Sequence, residues 1–397
     1  MTDREFMVTR IMLKQFRSLK DIDVELGRLT VLVGPNGSGK SNVLDSLRLV
    51  AESLTSSLDQ ALRNRGGVGE VRRRSQGHPT HFGIHLEFSG QAADGSVFTG
   101  FYGFEVGAVK GGGYRLAKET CRVDGASGST WFKVVGGTLK GASDDVAAVM
   151  PPANDQRLYL VVAAGRPEFL PVYEGLSGIT VFSPVPDVIR QPQSPDLGDY
   201  LSRDGANLAS VIHRLERTKD GRAAKARIED YLRVIVPGMK GVSRDSLGPW
   251  ETLEFTQEVS GSDAPWRFPA QSVSDGTLRA LAVLTALFAS AGRVLGPIGV
   301  EEPESALHPA AAAVLMDALR DASERRQVIV TSHSADLLDR DDFRVDEILA
   351  VRSVGGETIV GRVDAGGEIA LRESLYTPGE LLRSDQLLPA TPVRSPE

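Results

Sequence analysis

Gly34-Pro35-Asn36-Gly37-Ser38-Gly39-Lys40-Ser41 decides the fold. It fits the pattern GxxxxGK[ST] in full. Leu29 to Val33, just before it, is a short apolar run that reads as a strand. Ser41 to Ser53, just after it, reads as a helix with an apolar stripe of Val43, Leu44, Leu47 and Val50. Strand, glycine-rich turn and helix start form the context in which this pattern wraps a phosphate. Glycines let backbone N–H groups turn inward, and the helix N-terminus adds a positive dipole end. Lys40 is placed against β- and γ-phosphates as a point charge, and the Ser41 hydroxyl is placed to bind Mg²⁺. Asn36, Gly37, Ser38, Gly39, Lys40 and Ser41 are therefore the expected phosphate-binding residues, with ATP and Mg²⁺ as ligands. A glycine-rich turn that merely matches the pattern is the competing reading, and the flanking strand and helix weigh against it.

Three further elements complete a possible site. Ile298-Gly299-Val300-Glu301-Glu302-Pro303-Glu304 is a short apolar strand that delivers carboxylates to its C-terminal end, where α/β sheets bind ligands. Glu301 is placed to hold the metal through water, and Glu302 to polarise water for attack on the γ-phosphate. Alone, such a string reads as a solvated acidic turn. Val328-Ile329-Val330-Thr331-Ser332-His333-Ser334 is a second apolar strand, ending in hydroxyls and a histidine. His333 is either structural or, on the same sheet edge as Glu302, a partner of the γ-phosphate. Ser272-Val273-Ser274-Asp275-Gly276-Thr277-Leu278-Arg279 opens an apolar helix. Ser274 is a preferred helix cap. With the unhindered Gly276 it also makes an anion site for a second molecule's ATP.

Composition bounds the rest. The chain has 397 residues, 41% hydrophobic and 24% charged, with a net charge of −7. These are ordinary values for a globular protein, and they exclude a polycation that coats nucleic acid. Arg63, Arg65, Arg72, Arg73 and Arg74 crowd one stretch, which is either a solvated face or a phosphate-contacting patch. Cys121 is the single cysteine, which fits a reducing cytosol and a cytoplasmic location. The opening MTDREFMVTRIMLK lacks the apolar run of a signal peptide. The most apolar stretch, Ala280 to Ala291, is too short to span a membrane.

Along the chain, Val8–Phe16 and Ile22–Leu26 read as strands. Residues 82–180 read as antiparallel strands and turns. A proline-rich break carries Pro184, Pro186, Pro192 and Pro195. Ala206–Arg217 and Ala223–Val236 read as helices, and Trp250–Trp266 as strand and loop. The last third alternates helix Leu278–Ala291, strand Ile298–Glu301, helix Ala310–Ser323 and strand Val328–Thr331, the pattern of a helix-covered parallel sheet. No internal repeat and no sustained heptad appears.

Taken together, the phosphate loop, the Ser274 helix, the acidic pair and the histidine resemble an ABC-type ATPase head, in the order such heads use. The similarity is to the RecF-like, SMC-like and OLD-like ATPases rather than to transporter subunits. Leu13-Lys14-Gln15-Phe16-Arg17-Ser18-Leu19-Lys20 is similar to the first strand and turn of that group. So is the phosphate loop through Asn42, which joins the nucleotide-binding set. Ser274-Asp275-Gly276-Thr277 resembles the signature motif, and Glu301 to Pro309 the Walker B and D-loop. Ser305-Ala306 stands where the group often has asparagine-glycine. Asp204-Gly205-Ala206-Asn207-Leu208-Ala209 and Pro378-Gly379-Glu380-Leu381-Leu382 are similar to segments of bacterial ATPases inferred from sequence. The resemblance covers residues 1–55 and 270–385 and is thin between them, where Gln76 is the candidate Q-loop glutamine.

The resemblance implies an α/β P-loop NTPase of ABC type. Its mixed sheet carries helices on both faces, with an antiparallel β subdomain and a helical insertion. The expected domains are an N-terminal ATPase half at 1–183, an insertion at 184–268, a C-terminal half at 269–384 and a loose tail at 385–397. The implied roles are Glu302 and His333 in catalysis, Ser41 and Glu301 at the metal, and Ser274 and Gly276 on the partner's ATP. The implied partner is a second copy, with two ATP molecules sandwiched between heads. For the output, DNA repair or defence against foreign DNA stands beside an ATP-gated scaffold for an effector protein such as a toxin or nuclease. The segment after His333 reads as too short for a nuclease domain, and Asp339-Arg340-Asp341-Asp342 as an acidic loop rather than a metal site.

Overall fold

Leu29–Val33 is buried at every residue, as a strand covered on both faces must be. The structure is a computed structural model, which describes residues 4–74, 81–92, 94–109, 112–126, 128–143, 151–289, 294–340 and 342–390. Leu29–Val33 is its third strand, β3, after β1 (Arg4–Phe16) and β2 (Leu19–Glu25), and before helix α1 (Lys40–Thr55). Five strands follow: β4 (His81–Gln91), β5 (Val97–Ala108), β6 (Tyr114–Gly125), β7 (Gly128–Val135) and β8 (Thr138–Ala142). Then come β9 (Thr180–Phe182) and a small separate sheet of β10 (Met239–Leu247), β11 (Trp250–Gln257) and β12 (Trp266–Pro269). The chain closes with β13 (Val294–Leu295), β14 (Ile298–Glu301), β15 (Val328–Ser332), β16 (Ile348–Val354) and β17 (Glu357–Arg362).

The main sheet runs β8-β7-β6-β5-β4-β1-β2-β17-β16-β3-β15-β14-β9, with β13 pairing β1. β3 is therefore clasped between β15 and β16, two strands from the far end of the chain. Both pairings are parallel: Thr331 lies opposite Leu32, and Leu349 opposite Leu32 from the other side. β14 and β9 extend the parallel block. The expected mixed α/β sheet is present. The antiparallel strands β4–β8 continue the same sheet through β1 rather than forming a second one.

The pleat of the central strands divides the core. Leu32, Ile329 and Leu349 join Val43, Leu44, Leu47 and Val50 of α1 in one buried cluster. Val31, Val33, Val328 and Val330 face the other way. They pack with Leu278, Leu281 and Leu284 of helix Asp275–Phe288 and with Leu315 and Leu319 of helix Pro309–Ser323.

Two readings change. Residues 82–180 are not all strands and turns, because Leu160–Ala163 and Leu170–Ser177 are helical. Val172 and Leu176, one turn apart, are buried there, and a Cβ on Gly175 would fall 2.2 Å from the Phe6 ring. The arginine cluster is largely absorbed into ion pairs. Arg65, with its side chain 1% exposed, binds Asp45 of α1 at 2.9 Å, and Glu52 as well. Arg63 pairs with Asp59, Arg73 with Glu357 and Arg74 with Glu70. Gln76 and Asp341 lie outside the described residues.

Glu119 of β6 ties the helical segment to the strands. Its carboxylate accepts from the Tyr159 N–H at 2.5 Å, the Leu160 N–H at 2.9 Å and the Tyr102 hydroxyl at 3.0 Å. Burial pushes its carboxyl up to about 7, against the pull of those donors. A folded-state value above the ordinary one, about 4.3, gives stability that is complete below it and is lost as pH rises through about 7. Urea unfolding midpoints measured from about pH 5 to pH 8 should therefore show a falling contribution that Glu119→Gln flattens. An unchanged slope in the variant would rule this out.

Candidate functional site

The phosphate loop is shaped by its glycines. Gly37 has φ +75° and Gly39 φ +101°, a region that favours glycine. A Cβ on Gly39 would also lie 2.1 Å from Thr358 Oγ1. Lys40 Nζ donates to the Gly34 carbonyl at 2.8 Å and the Pro35 carbonyl at 2.9 Å, so its ammonium folds over its own loop. The Ser38 hydroxyl is buried without a hydrogen-bond partner. Ser41 is exposed at the start of α1.

The loop is braced from behind by residues that the motif does not contain. Thr358 of β17, 2% exposed, donates to the Ser38 carbonyl at 2.8 Å and shares a 2.7 Å hydrogen bond with Ser18. Asn42 Nδ2 donates to the same Ser18 hydroxyl at 2.7 Å, so its side chain serves this brace. Ser18 lies inside the quoted opening turn, but nothing in the sequence around Thr358 marks it.

The acidic strand end stands two strands away. Glu301 lies opposite Thr331, which lies opposite Leu32 of β3. The Glu302 N–H donates to the Thr331 carbonyl at 3.0 Å, and the chain then turns with Glu302 at φ +42°. That left-handed conformation costs a non-glycine residue about 1–3 kcal/mol, and such strain concentrates at functional sites. His333, just past β15, brings Nδ1 to 3.2 Å from Glu302 Oε1. Burial lowers the proton affinity of Lys40, and the nearby carboxylates of Glu302 and Glu304 partly restore it. Lys40, Glu302 and His333 thus share one sheet edge. Glu304 is the last carboxylate of the acidic string that follows β14. It is 6% exposed and accepts from the Ser332 hydroxyl at 2.6 Å, while its other oxygen is buried without a hydrogen-bond partner. Burial raises its carboxyl above the ordinary range.

The arrangement suits a hard cation held jointly with phosphate. Among the described residues, no group of three or more His, Cys, Asp or Glu could hold a metal. Mg²⁺ is commonly held by one or two protein oxygens plus phosphates and water. The Ser41 hydroxyl and the Glu301 carboxylate are donors of that kind.

Ser274 caps helix Asp275–Phe288, accepting from the Thr277 N–H at 3.3 Å. Gly276 is buried rather than open, and a Cβ there would lie 2.5 Å from the Ala306 carbonyl. Its structural duty is to let this helix touch the turn after the acidic pair.

Residues 29–121 and 179–339 match the family described as "AAA domain, putative AbiEii toxin, Type IV TA system". The chain belongs to this AAA-domain family. Two curated relatives, an OLD nuclease and a RecF protein, are similar to short stretches of it. An OLD nuclease of Thermus scotoductus is 48% identical over 52 residues, covering 13% of this chain and 10% of that protein. The DNA replication and repair protein RecF of Magnetococcus marinus is 35% identical over 96 residues, covering 22% of this chain and 24% of that protein. The chain thus spans a quarter or less of the length of these curated relatives. The Smc head domain of Pyrococcus furiosus, solved with an extended coiled coil and bound to the C-terminal domain of ScpA, shares the fold. The TM-score is 0.51 at 15% identity, over 93% of this chain and 99% of that one. Among the described residues, no helix is long and apolar enough to cross a membrane.

Thr358→Val tests the brace beneath this AAA-domain loop. It leaves the Ser38 carbonyl and the Ser18 hydroxyl short of a partner, at an expected cost of about 1–3 kcal/mol in urea unfolding. Amide exchange at Gly37 to Lys40 should quicken. Unchanged stability and exchange would show that the loop holds itself.

Proposed function

We propose that this chain hydrolyses ATP at the end of β3. The observation that carries this reading is the 3.2 Å contact between Glu302 and His333 on the edge that also holds Lys40. Lys40 gives up its two loop carbonyls to grip the β- and γ-phosphates. Backbone N–H groups from Asn36 to Ser41 wrap the phosphates, while Asn42 steadies the loop through Ser18. Mg²⁺, held by the Ser41 hydroxyl and the Glu301 carboxylate, would supply charge neutralisation of the phosphates. Glu302 orients the attacking water and accepts its proton. His333 orients the Glu302 carboxylate through Nδ1, and a contact of its Nε2 with the γ-phosphate would need both nitrogens to donate, as in the imidazolium.

Two copies pair head to tail in the ATP state. Ser274 is exposed at a helix start in this head, where the dipole and hydroxyl suit the γ-phosphate held by a partner. Gly276 supports the motif by keeping that helix close to the turn at Ala306.

For the output, the names of the relatives support action on DNA. A scaffold for an effector protein is favoured by a different observation: the arginine stretch that would meet DNA is taken up by Asp45, Glu52, Asp59, Glu70 and Glu357. DNA-stimulated ATPase that weakens steeply with salt would decide for DNA. No stimulation, together with a stable complex with a neighbouring gene's product, would decide for the scaffold.

Lys40→Ala removes a charged hydrogen-bonding group worth about 1.5–3 kcal/mol, so ATP should bind about 10–100-fold more weakly. Normal binding in that variant would end this assignment. Glu302→Gln should keep ATP binding and lose about 10²–10⁴-fold in turnover. In light scattering, the Glu302→Gln protein should double in mass when ATP is added. A constant mass would overturn the pairing.

A further inference from the structure

The segment Asp204-Gly205-Ala206-Asn207-Leu208-Ala209, singled out in the sequence, has no place in the hydrolysis just described. The structure sets it beside the acidic strand end. The Ser183 N–H donates to the Arg203 carbonyl at 2.9 Å, and the Val185 N–H to the Asp204 carbonyl at 3.0 Å. Those bonds fix the backbone of Arg203 just past β9. β9 pairs in parallel with β14, and Phe182 lies opposite Val300. Arg203 then reaches across and donates from a terminal guanidinium nitrogen to Glu301 Oε1 at 3.1 Å.

The loop that carries Arg203 is stiff. Asp204 Oδ1 accepts from the Ala206 N–H at 3.1 Å, and Asn207 Oδ1 from the Ser202 N–H at 2.8 Å. Gly205 turns at φ +85°, where a Cβ would fall 2.7 Å from Ile189. A surface ion pair between two mobile side chains contributes little. Here the Arg203 side chain is 45% exposed but stands on a backbone held by hydrogen bonds, and Glu301 is only 18% exposed. The guanidinium takes one carboxylate oxygen and leaves the other for a metal or its water. Carboxylates that serve metals are commonly oriented by such a hydrogen bond, and losing it typically costs 10–100-fold in metal affinity.

We propose that Arg203 is a positioning residue for the Mg²⁺ site: it holds the Glu301 carboxylate in register from the loop Ser202–Asn207. This rests on the reading of Glu301 as the metal-side carboxylate. It also joins the site to the segment that follows, since helix Leu208–Leu215 starts at the end of this loop and Ser210 of that helix donates to Glu251 of β11 at 2.6 Å.

The test is a binding titration in the Glu302→Gln protein, which is expected to hold ATP without turning it over. A fluorescent ATP analogue is bound at rising Mg²⁺, and the half-saturating Mg²⁺ concentration is read. Arg203→Ala should raise it about 10-fold. Arg203→Lys, which keeps a charge without the planar fork, should recover part of that. Affinity for the analogue without metal should stay unchanged. With Glu301→Gln added, Arg203→Ala should have no further effect. An unchanged or lowered Mg²⁺ requirement overturns the proposal. So does weaker metal-free binding, which would make Arg203 a phosphate contact, or a shift that persists with Glu301→Gln. Lys40→Ala separates the two readings: if it loses the analogue while Arg203→Ala changes nothing, the ATP site stands and this inference falls.

Discussion

The pairing of β3 with β15 on one side and β16 on the other is the constraint on which the molecule depends. Each ladder joins residues about three hundred positions apart in the chain, such as Leu32 with Thr331. Closing so long a loop is costly in chain entropy, though the cost grows only slowly with length. The offset comes from burial. Val31, Leu32 and Val33 are each 0% exposed, and they contribute to hydrophobic clusters on both faces of the sheet. Without that double burial, the loop after β3 and the carboxylates after β14 would have no common frame.

Parallel register converts this packing into chemistry. In parallel strands all C-terminal ends lie on one edge, so the residues that follow β3, β14 and β15 emerge together. The phosphate loop, Glu302 and His333 are those residues, with Glu301 at the last position of β14. The concentration of charge there is sustained by neighbours. His333 meets Glu302, Ser332 meets Glu304, Arg203 meets Glu301, and Lys40 lies near Glu302 and Glu304. Lys40 rests on the Gly34 and Pro35 carbonyls, which gives a buried ammonium the hydrogen-bond partners it needs.

Much of the site could be read from the chain because each part is local. A glycine loop needs Gly37 and Gly39 for its left-handed turns, and an amphipathic helix announces itself by Val43, Leu44, Leu47 and Val50. The short strands Ile298–Glu301 and Leu29–Val33 were legible to the residue, since continuous burial makes a continuous apolar run. The hairpin of β16 and β17 was not read, and it supplies both a neighbour of β3 and Thr358. Its residues carry no motif, and their value lies in whom they touch. The arginine stretch misled for the same reason: Arg65 looks like a free cation until Asp45 and Glu52 are seen around it.

By itself, then, the sequence determined the local devices: the loop that can wrap a phosphate, the strand that ends in two carboxylates, and the serine that caps a helix. These follow from backbone freedom, residue size and period, which act over a few positions. Tertiary structure alone decided which devices meet, what braces them and which charges are already spent. Thr358 behind the loop, Gly276 against Ala306 and Arg203 on Glu301 are contacts across large separations in the chain. Hydrophobic burial selects such contacts over the whole sheet, and no short window of sequence records it.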